Sequence, residues 1–407
     1  MKACTALTVL LAVSVLNDLL NREENKIMEV IKPLTAMGLM SGTSMDGVDA
    51  ALLVTDGVDI FEYGKALNRP YDMEMRAALR SVMGEEGCKD PERVRDVERK
   101  MTLFHAEVVR ELLEHAGLRP EDVDVLGFHG QTVLHRPEEH MSIQIGDGEL
   151  LAAETHIPVV NRFHNSDLAN GGQGAPLLPS YHAALTRDME KPVAVLNIGG
   201  VANVTWIGAN GELIAFDTGP GNALIDDWMM KKHGTNMDFD GNMAAAGTVN
   251  EKIVAAMMKR PYFKKQPPKS LDRNEFAERV MGNLEGATVA DGAATLTAFT
   301  AEAAAASARD FLPQPPKRWI VCGGGANNPT LMRMLRQKLG VPVQIARDVG
   351  WDGDFVEAQG FAFLAVRSLF GLPISFPGTT GVPHSMCGGL YHPLPGLPKE
   401  KPKNHKI

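Results

Sequence analysis

The sequence predicts an α/β protein built from two similar halves that hold a nucleotide between them, and three observations carry that prediction. The run Gly38-Leu-Met-Ser-Gly-Thr-Ser-Met-Asp-Gly-Val-Asp49 lies between apolar residues 36–40 and 48–54, which reads as a strand, a tight turn and a second strand. The same design recurs at Leu196-Asn-Ile-Gly-Gly-Val-Ala-Asn203, where the apolar run 193–198 turns at Gly199-Gly200 and resumes at 204–207. Around both hairpins, short apolar runs alternate with segments of helical periodicity, the pattern of a sheet with helices on its faces.

In the first turn, glycine lets the backbone approach an anion, successive amides can point at phosphate oxygens, and the hydroxyls of Ser41, Thr43 and Ser44 add donors. Asp46 is placed to face a divalent metal, because magnesium prefers hard oxygen ligands and keeps several waters. The alternative is an ordinary hairpin in which Asp46-Gly47 merely satisfies the turn; the recurrence at Gly199-Gly200 weighs against it.

Between the hairpins, Val94, Val97, Met101, Phe104, Val108 and Leu112 recur at spacings of three and four, which predicts an amphipathic helix ending near Gly117. A buried strand over 123–128 then delivers Gly127-Phe128-His129-Gly130-Gln131-Thr132 to a loop at its carboxyl end, where open α/β sheets place ligands. A helix is expected at 150–155, a strand from Val159-Val160, and a glycine-rich turn, Gly171-Gly-Gln-Gly-Ala-Pro-Leu177, leading into a helix over 181–185. In the second half, strands over 193–198 and 213–216 precede Asp217-Thr-Gly-Pro-Gly-Asn222, which opens a helix through Trp228. An alanine-rich helix covers 293–311. The strand 319–322 runs into Gly323-Gly-Gly-Ala-Asn-Asn328 and a helix through Leu339, a junction whose free amides suit a nucleotide. A helix over 357–370 closes the fold.

The chain has 407 residues, 44% hydrophobic and 22% charged, enough for two domains. A net charge of -9 without a basic stripe gives no electrostatic basis for binding nucleic acid and favours small-molecule chemistry. Cys4, Cys88, Cys322 and Cys387 lie far apart, without zinc-ligand spacing, which fits a reducing cytoplasm. Residues 3–16 are apolar and resemble a short signal peptide, too short to span a bilayer; the expectation is an extra leader over 1–27, native or not. Residues 393–407 read as a disordered tail. The expected partition is 28–156 with about 376–392 as the first domain and 157–375 as the second.

Neither the Rossmann nor the P-loop spacing is present. Asp217, at a strand end before a Gly-Pro-Gly turn, can face a cleft as a general base; capping the following helix is the plainer alternative. His129 either polarises a substrate oxygen or supports its loop, and Glu357 sits at a helix start behind the acidic segment 348–354.

Taken together, Gly38 to Asp49, His129-Gly-Gln-Thr132, Gly171 to Leu177, Leu196-Asn-Ile-Gly-Gly200, Phe216-Asp-Thr-Gly-Pro-Gly-Asn222, Pro268-Lys-Ser270 and Val321-Cys-Gly-Gly-Gly325 resemble the anhydro-N-acetylmuramic acid kinase family, of the actin, hexokinase and heat-shock chaperone superfamily. The resemblance runs from Gly38 to about Leu390. It implies two actin-like (ribonuclease H-like) domains with a nucleotide cleft between them, closing over the sugar, and a homodimer in the cytoplasm that uses ATP and Mg2+. It further implies a double reaction: a carboxylate activates water to open a 1,6-anhydro sugar while the released 6-oxygen takes the γ-phosphoryl group. On this resemblance the base is Asp217 and the ATP phosphate loop comprises Gly42, Thr43, Ser44, Met45, Asp46, Gly47, Val48 and Asp49. Further nucleotide contacts fall on Gly199, Gly200, Gly323, Gly324 and Gly325, sugar contacts on His129, Gln173 and Glu357, and the metal on Asp46.

One segment departs from the family pattern. After the Val-Val strand the family reads Asp-Phe-Arg and further basic residues, whereas this chain has Arg162-Phe-His-Asn-Ser-Asp167. Arginines suit the lactyl carboxylate of muramic acid. A levoglucosan kinase acting on a neutral anhydro sugar is therefore one alternative, and an actin-like ATPase switch is another.

Overall fold

The computed structural model describes residues 32–398 except 43 and 272–276, so Thr43, the expected leader and the end of the expected tail lie outside the described residues. Two sheets repeat one topology. In the first, β1 (Leu34–Ser41), β2 (Gly47–Thr55) and β3 (Ile60–Pro70) form an antiparallel meander, and β4 (Val125–Arg136) and β6 (Val159–Asn161) continue it in parallel on the other side of β1. The strand β5 (Met141–Ile145) pairs with β4 off this path. In the second sheet, β7 (Val193–Ile198), β8 (Val201–Ile207) and β9 (Leu213–Pro220) repeat the meander, and β10 (Arg318–Cys322) and β11 (Val343–Ile345) repeat the parallel pair. The spatial orders β3-β2-β1-β4-β6 and β9-β8-β7-β10-β11 are the same. This duplicated α/β topology has the repeat that the two hairpins predicted and is the actin-like fold that the family resemblance implied.

Long helices make the crossovers. Helix α1 (Pro91–Ala116) connects the meander of the first sheet to β4; the Asp90 carboxylate accepts the Arg93 N–H at 3.1 Å at its start, and Gly117, at φ 68°, ends it. Its apolar stripe, including Val97, Met101, Val108 and Leu112, is buried in the first-sheet core. In the second half, α2 (Ala223–His233) precedes the alanine-rich α3 (Val289–Phe311), whose small side chains let it sit buried on most faces. Helix α4 (Pro329–Leu339) follows β10.

Helix α5 (Val356–Leu369) lies between the two halves. Its core cluster takes Ala36, Val125 and Val160 from the first sheet and Val193, Ile320 and Cys322 from the second. The approach is closer than side chains allow: a Cβ on Gly38 would stand 1.7 Å from the Ala358 carbonyl oxygen, and one on Gly127 2.0 Å from that of Phe361. Among the described residues no helix is long and apolar enough to cross a membrane.

Three boundaries differ from the sequence reading. The segment His129 to Thr132 is strand, because β4 continues to Arg136 with its polar residues hydrogen-bonded in the interior. Asp217 to Pro220 is likewise strand, paired with β8 through the contacts of Asp217 with Asn203 and Pro220 with Val201. Finally, β6 pairs with β4 and with β12 (Leu390–His392), so residues 159–161 belong to the first sheet, beyond the boundary expected at 156.

Candidate active site

Asp217 is fixed at every backbone atom that can hydrogen-bond. Its N–H donates to the Lys269 carbonyl at 3.0 Å, and its carbonyl accepts the Tyr262 hydroxyl at 2.6 Å. The carboxylate oxygen Oδ2 accepts the Leu271 N–H at 2.7 Å, while Oδ1 has no hydrogen-bond partner among the described residues. At 7% exposure, burial pushes this carboxyl up to about 7, against the opposing pull of the Leu271 N–H and the Lys269 ammonium. The residue is therefore not a helix cap: the following helix starts after Asn222, five residues on, and no side-chain cap bond is made there.

Residues 269–271, which overlap the Pro268-Lys-Ser270 motif, form a hub around Asp217. Lys269 and Leu271 hold Asp217, and between them the Ser270 hydroxyl donates to the Gln173 side-chain oxygen at 3.4 Å and meets His135 Nε2 at 3.3 Å. One short segment thus contacts both Asp217 and Gln173.

The Gln173 loop is braced from behind. Gly174 donates its N–H to buried Asp167 at 2.7 Å and its carbonyl meets His164 Nδ1 at 2.6 Å; the Asp167 carboxylate also accepts the Thr380 hydroxyl. His164 Nε2 in turn lies 3.1 Å from His129 Nε2, and His129 Nδ1 lies 2.9 Å from the Gly130 carbonyl. Burial, with His164 nearby, pushes His129 down to about 3, and burial lowers His164 too. Two neutral rings bring only two N–H groups to these three contacts. With Nδ1 facing the Gly130 carbonyl and Nε2 facing the His164 ring, His129 is joined through His164 to the loop that carries Gln173. The departing segment is absorbed in the same way: His164 and Asp167 turn inward, while Arg162 is exposed at φ 51°.

The first glycine turn is pinned rather than loose. The buried Ser41 hydroxyl contacts Tyr71 at 2.9 Å and donates to Gln131 at 2.7 Å, and Gln131 donates to the Gly42 carbonyl at 3.1 Å. Ser41 therefore faces inward, contrary to its expected role as a phosphate donor. Met45 and Val48 are in the first-sheet core, and Gly47 packs against the Arg69 carbonyl, where a Cβ would stand at 2.5 Å. Among the described residues of this turn, Gly42, Ser44 and Asp46 face outward, with Ser44 donating to the Asp46 carboxylate at 2.8 Å.

The second glycine turn docks on the start of α2. The Gly199 carbonyl accepts the Asn222 N–H at 2.8 Å, and that of Gly200 accepts those of Gly221 and Ala223. Gly323, at φ 74°, and Gly325 pack on Asn197 and Ile198, whereas a Cβ on Gly199 or Gly324 would meet no atom closer than 3.6 Å. Gly199 and Gly324 thus leave room for a ligand to approach.

Asn197, within the Leu196-Asn-Ile-Gly-Gly200 motif, donates to the Glu357 carboxylate at 3.1 Å. Burial and the charges of Asp49 and Asp46 push Glu357 up to about 7; burial, with Asp46 and Asp354 adding to it, pushes Asp49 up to about 6 despite its bond from Asn68. Carboxylates from the first hairpin and from α5 are thus close enough to repel one another. Among the described residues no group of His, Cys, Asp or Glu forms a ready metal cage. Such a carboxylate set fits magnesium, which retains waters and takes phosphate oxygens, better than a metal bound wholly by protein.

Residues 34–393 match the family described as anhydro-N-acetylmuramic acid kinase. The chain is 53% identical over 359 residues to the anhydro-N-acetylmuramic acid kinase of Paramagnetospirillum magneticum, covering 88% of this chain and 99% of that one. It is also 53% identical over 360 residues to that of Rhodospirillum rubrum, covering 88% and 94%. For the Azorhizobium caulinodans enzyme the identity is 52% over 372 residues, covering 89% and 100%. With this similarity along nearly its whole described length, the chain belongs to the anhydro-N-acetylmuramic acid kinase family.

Proposed function

We propose that the protein is an ATP-dependent kinase that hydrolytically opens 1,6-anhydro-N-acetylmuramic acid and phosphorylates its 6-oxygen, giving N-acetylmuramic acid 6-phosphate and ADP in cell-wall recycling. Membership of the family carries the reaction; the setting of Asp217 supports the assignment of its base. A water attacking the anomeric carbon gives its proton to Oδ1 of Asp217, the bond from that carbon to the bridging oxygen breaks, and the freed 6-oxygen attacks the γ-phosphorus as ADP leaves. A carboxyl near pKa 7 suits this task, since it is ionised enough to accept a proton and basic enough to hold it.

Catalysis of this kind rests on positioning and charge. Gln173, placed by Ser270, and Glu357, placed by Asn197, are the sugar contacts we assign, with His129 bracing the loop of the former. Gly42, Ser44 and Asp46 on the first hairpin, Gly199 on the second and Gly324 after β10 are the positions we assign to ATP. Asp46, with Asp49 and Glu357 behind it, would hold Mg2+, which when bound offsets the charge of the phosphates. We further propose that the two halves are the domains that close over the sugar, and that the enzyme works as a homodimer in the cytoplasm; the wide spacing of its cysteines supports a reducing compartment.

The test is ADP release by the purified protein with ATP and magnesium, comparing 1,6-anhydro-N-acetylmuramic acid, levoglucosan and no sugar. Turnover confined to the first sugar, with its 6-phosphate as product, is expected. Preference for levoglucosan would move the specificity to a neutral sugar, which the single exposed Arg162 in the departing segment would explain. Hydrolysis independent of sugar would instead indicate an ATPase switch.

A further inference from the structure

Lys269 is among the most buried side chains of the protein, at 1% exposure, and the chemistry above leaves it without a task. Its Nζ donates to the Tyr262 carbonyl at 3.2 Å and lies 4.2 Å from the ring centre of Phe311, 4.8 Å from that of Tyr262 and 5.6 Å from that of Phe216. Among the described residues no carboxylate stands within ion-pair distance of it. An ammonium removed from water in this way is expensive unless its charge is used.

The cage fixes where that charge sits. Phe216 precedes Asp217 in β9, Tyr262 donates its hydroxyl to the Asp217 carbonyl, and the Lys269 carbonyl accepts the Asp217 N–H. Cage and carboxylate are thus parts of one hydrogen-bonded unit, and the aromatic faces hold the ammonium by their quadrupoles without neutralising it. We propose that Lys269 is a positioning residue whose caged positive charge keeps Asp217 ionised in its buried site, so that the base is available for the attacking water. The inference rests on the reading of Asp217 as the base.

The neighbouring charges bear this out in sign. Burial lowers the Lys269 ammonium to about 8 against the attraction of Asp217, and Lys265 and Asp310 add smaller effects of opposite sign. On Asp217 the Leu271 N–H and Lys269 both favour the charged carboxylate. Without the ammonium, burial acts on Asp217 against the Leu271 bond alone, and its proton is held to higher pH.

The experiment is the pH dependence of kcat/KM for the anhydro sugar in the Lys269→Met and Lys269→Arg variants. Methionine fills the cage without charge; its acidic limb is expected to move up by about one pH unit or more, the size a neighbouring opposite charge produces, with activity regained at high pH. Arginine keeps the charge and is expected to leave the limb in place. A Lys269→Met profile that drops equally at all pH values, or whose limb does not move, overturns the inference. Independently of whether either variant folds, 15N NMR titration of lysine-labelled protein follows the Lys269 ammonium: in Asp217→Asn its proton is expected to leave at lower pH than in the unaltered protein, and an unchanged titration overturns the coupling. The two levels separate cleanly. Turnover persisting in Asp217→Asn removes the base itself, whereas an inactive Asp217→Asn beside an unmoved limb in Lys269→Met removes only the role of Lys269.

Discussion

The Asn197 side-chain amide donates to the Glu357 carboxylate at 3.1 Å, joining the strand before the second glycine turn to the helix that lies on the first sheet. One polar contact therefore ties the expected sugar carboxylate to the nucleotide half of the site. Replacing Asn197 with alanine leaves a partly buried carboxylate short of a donor; we expect kcat/KM to fall about tenfold or more, in line with the roughly 1.5–3 kcal/mol of a hydrogen bond to a charged group. Steady-state kinetics with both substrates varied would check this, and unaltered kinetics would detach Asn197 from the site.

Asp217→Asn keeps the shape of the side chain and its place in β9 but cannot accept a proton. Turnover should fall by at least about a hundredfold, the usual contribution of a general base. ATP binding, measured by calorimetry, should remain near normal, because the glycine turns are untouched.

The pH profile follows from the same group. Burial raises the Asp217 carboxyl to about 7, so below that pH it holds its proton and cannot take one from water. The value of kcat/KM for the sugar should therefore rise through about pH 7 and fall about tenfold per unit on the acid side. An acidic limb near 4 would mean that the base is an exposed carboxylate elsewhere.

Asp167→Ala should loosen the Gln173 loop. The change strips the Gly174 N–H and the Thr380 hydroxyl of a buried acceptor, at about 1–3 kcal/mol for each group left unpaired. We expect a lower denaturant midpoint and a raised KM for the sugar with little change in ATP affinity. Equal loss of both affinities would show that the loop serves the whole cleft.

Gly38→Ala tests the contact between the halves. A methyl group there meets the Ala358 carbonyl at 1.7 Å, so α5 must move off β1. Overpacking of this kind costs about 1–3 kcal/mol, and since Glu357 rides on the same helix, activity should fall along with stability. Thermal unfolding and kinetics measured together would show both.

Much of the architecture was legible in the chain. The glycine hairpins at 38–49 and 196–203, the heptad-like stripe of α1 and the strand-to-glycine junction after β10 are local patterns, and each appears within a few residues of its expected place. The two strand ends that were misplaced, at Phe128 and Phe216, share a cause: polar and glycine residues read as loop, yet here they are interior strand positions. Gln131 is satisfied by Ser41 and Gly42, and Asp217 by Lys269 and Leu271, partners distant in sequence.

Sequence alone determined the α/β class, the duplication and the resemblance to the family, and singled out Asp217 as a candidate base, because these depend on periodicity and on residue types at short spacing. Only the tertiary structure decided which residues of each motif turn inward. It turned Ser41, Met45 and Val48 inward, made His129 a brace for the loop of Gln173, and gathered Asp217, Lys269, Ser270 and Gln173 around one short segment. Such choices depend on which buried polar group finds which partner across the fold, and a hydrogen bond between residues dozens of positions apart leaves no periodic trace in the chain.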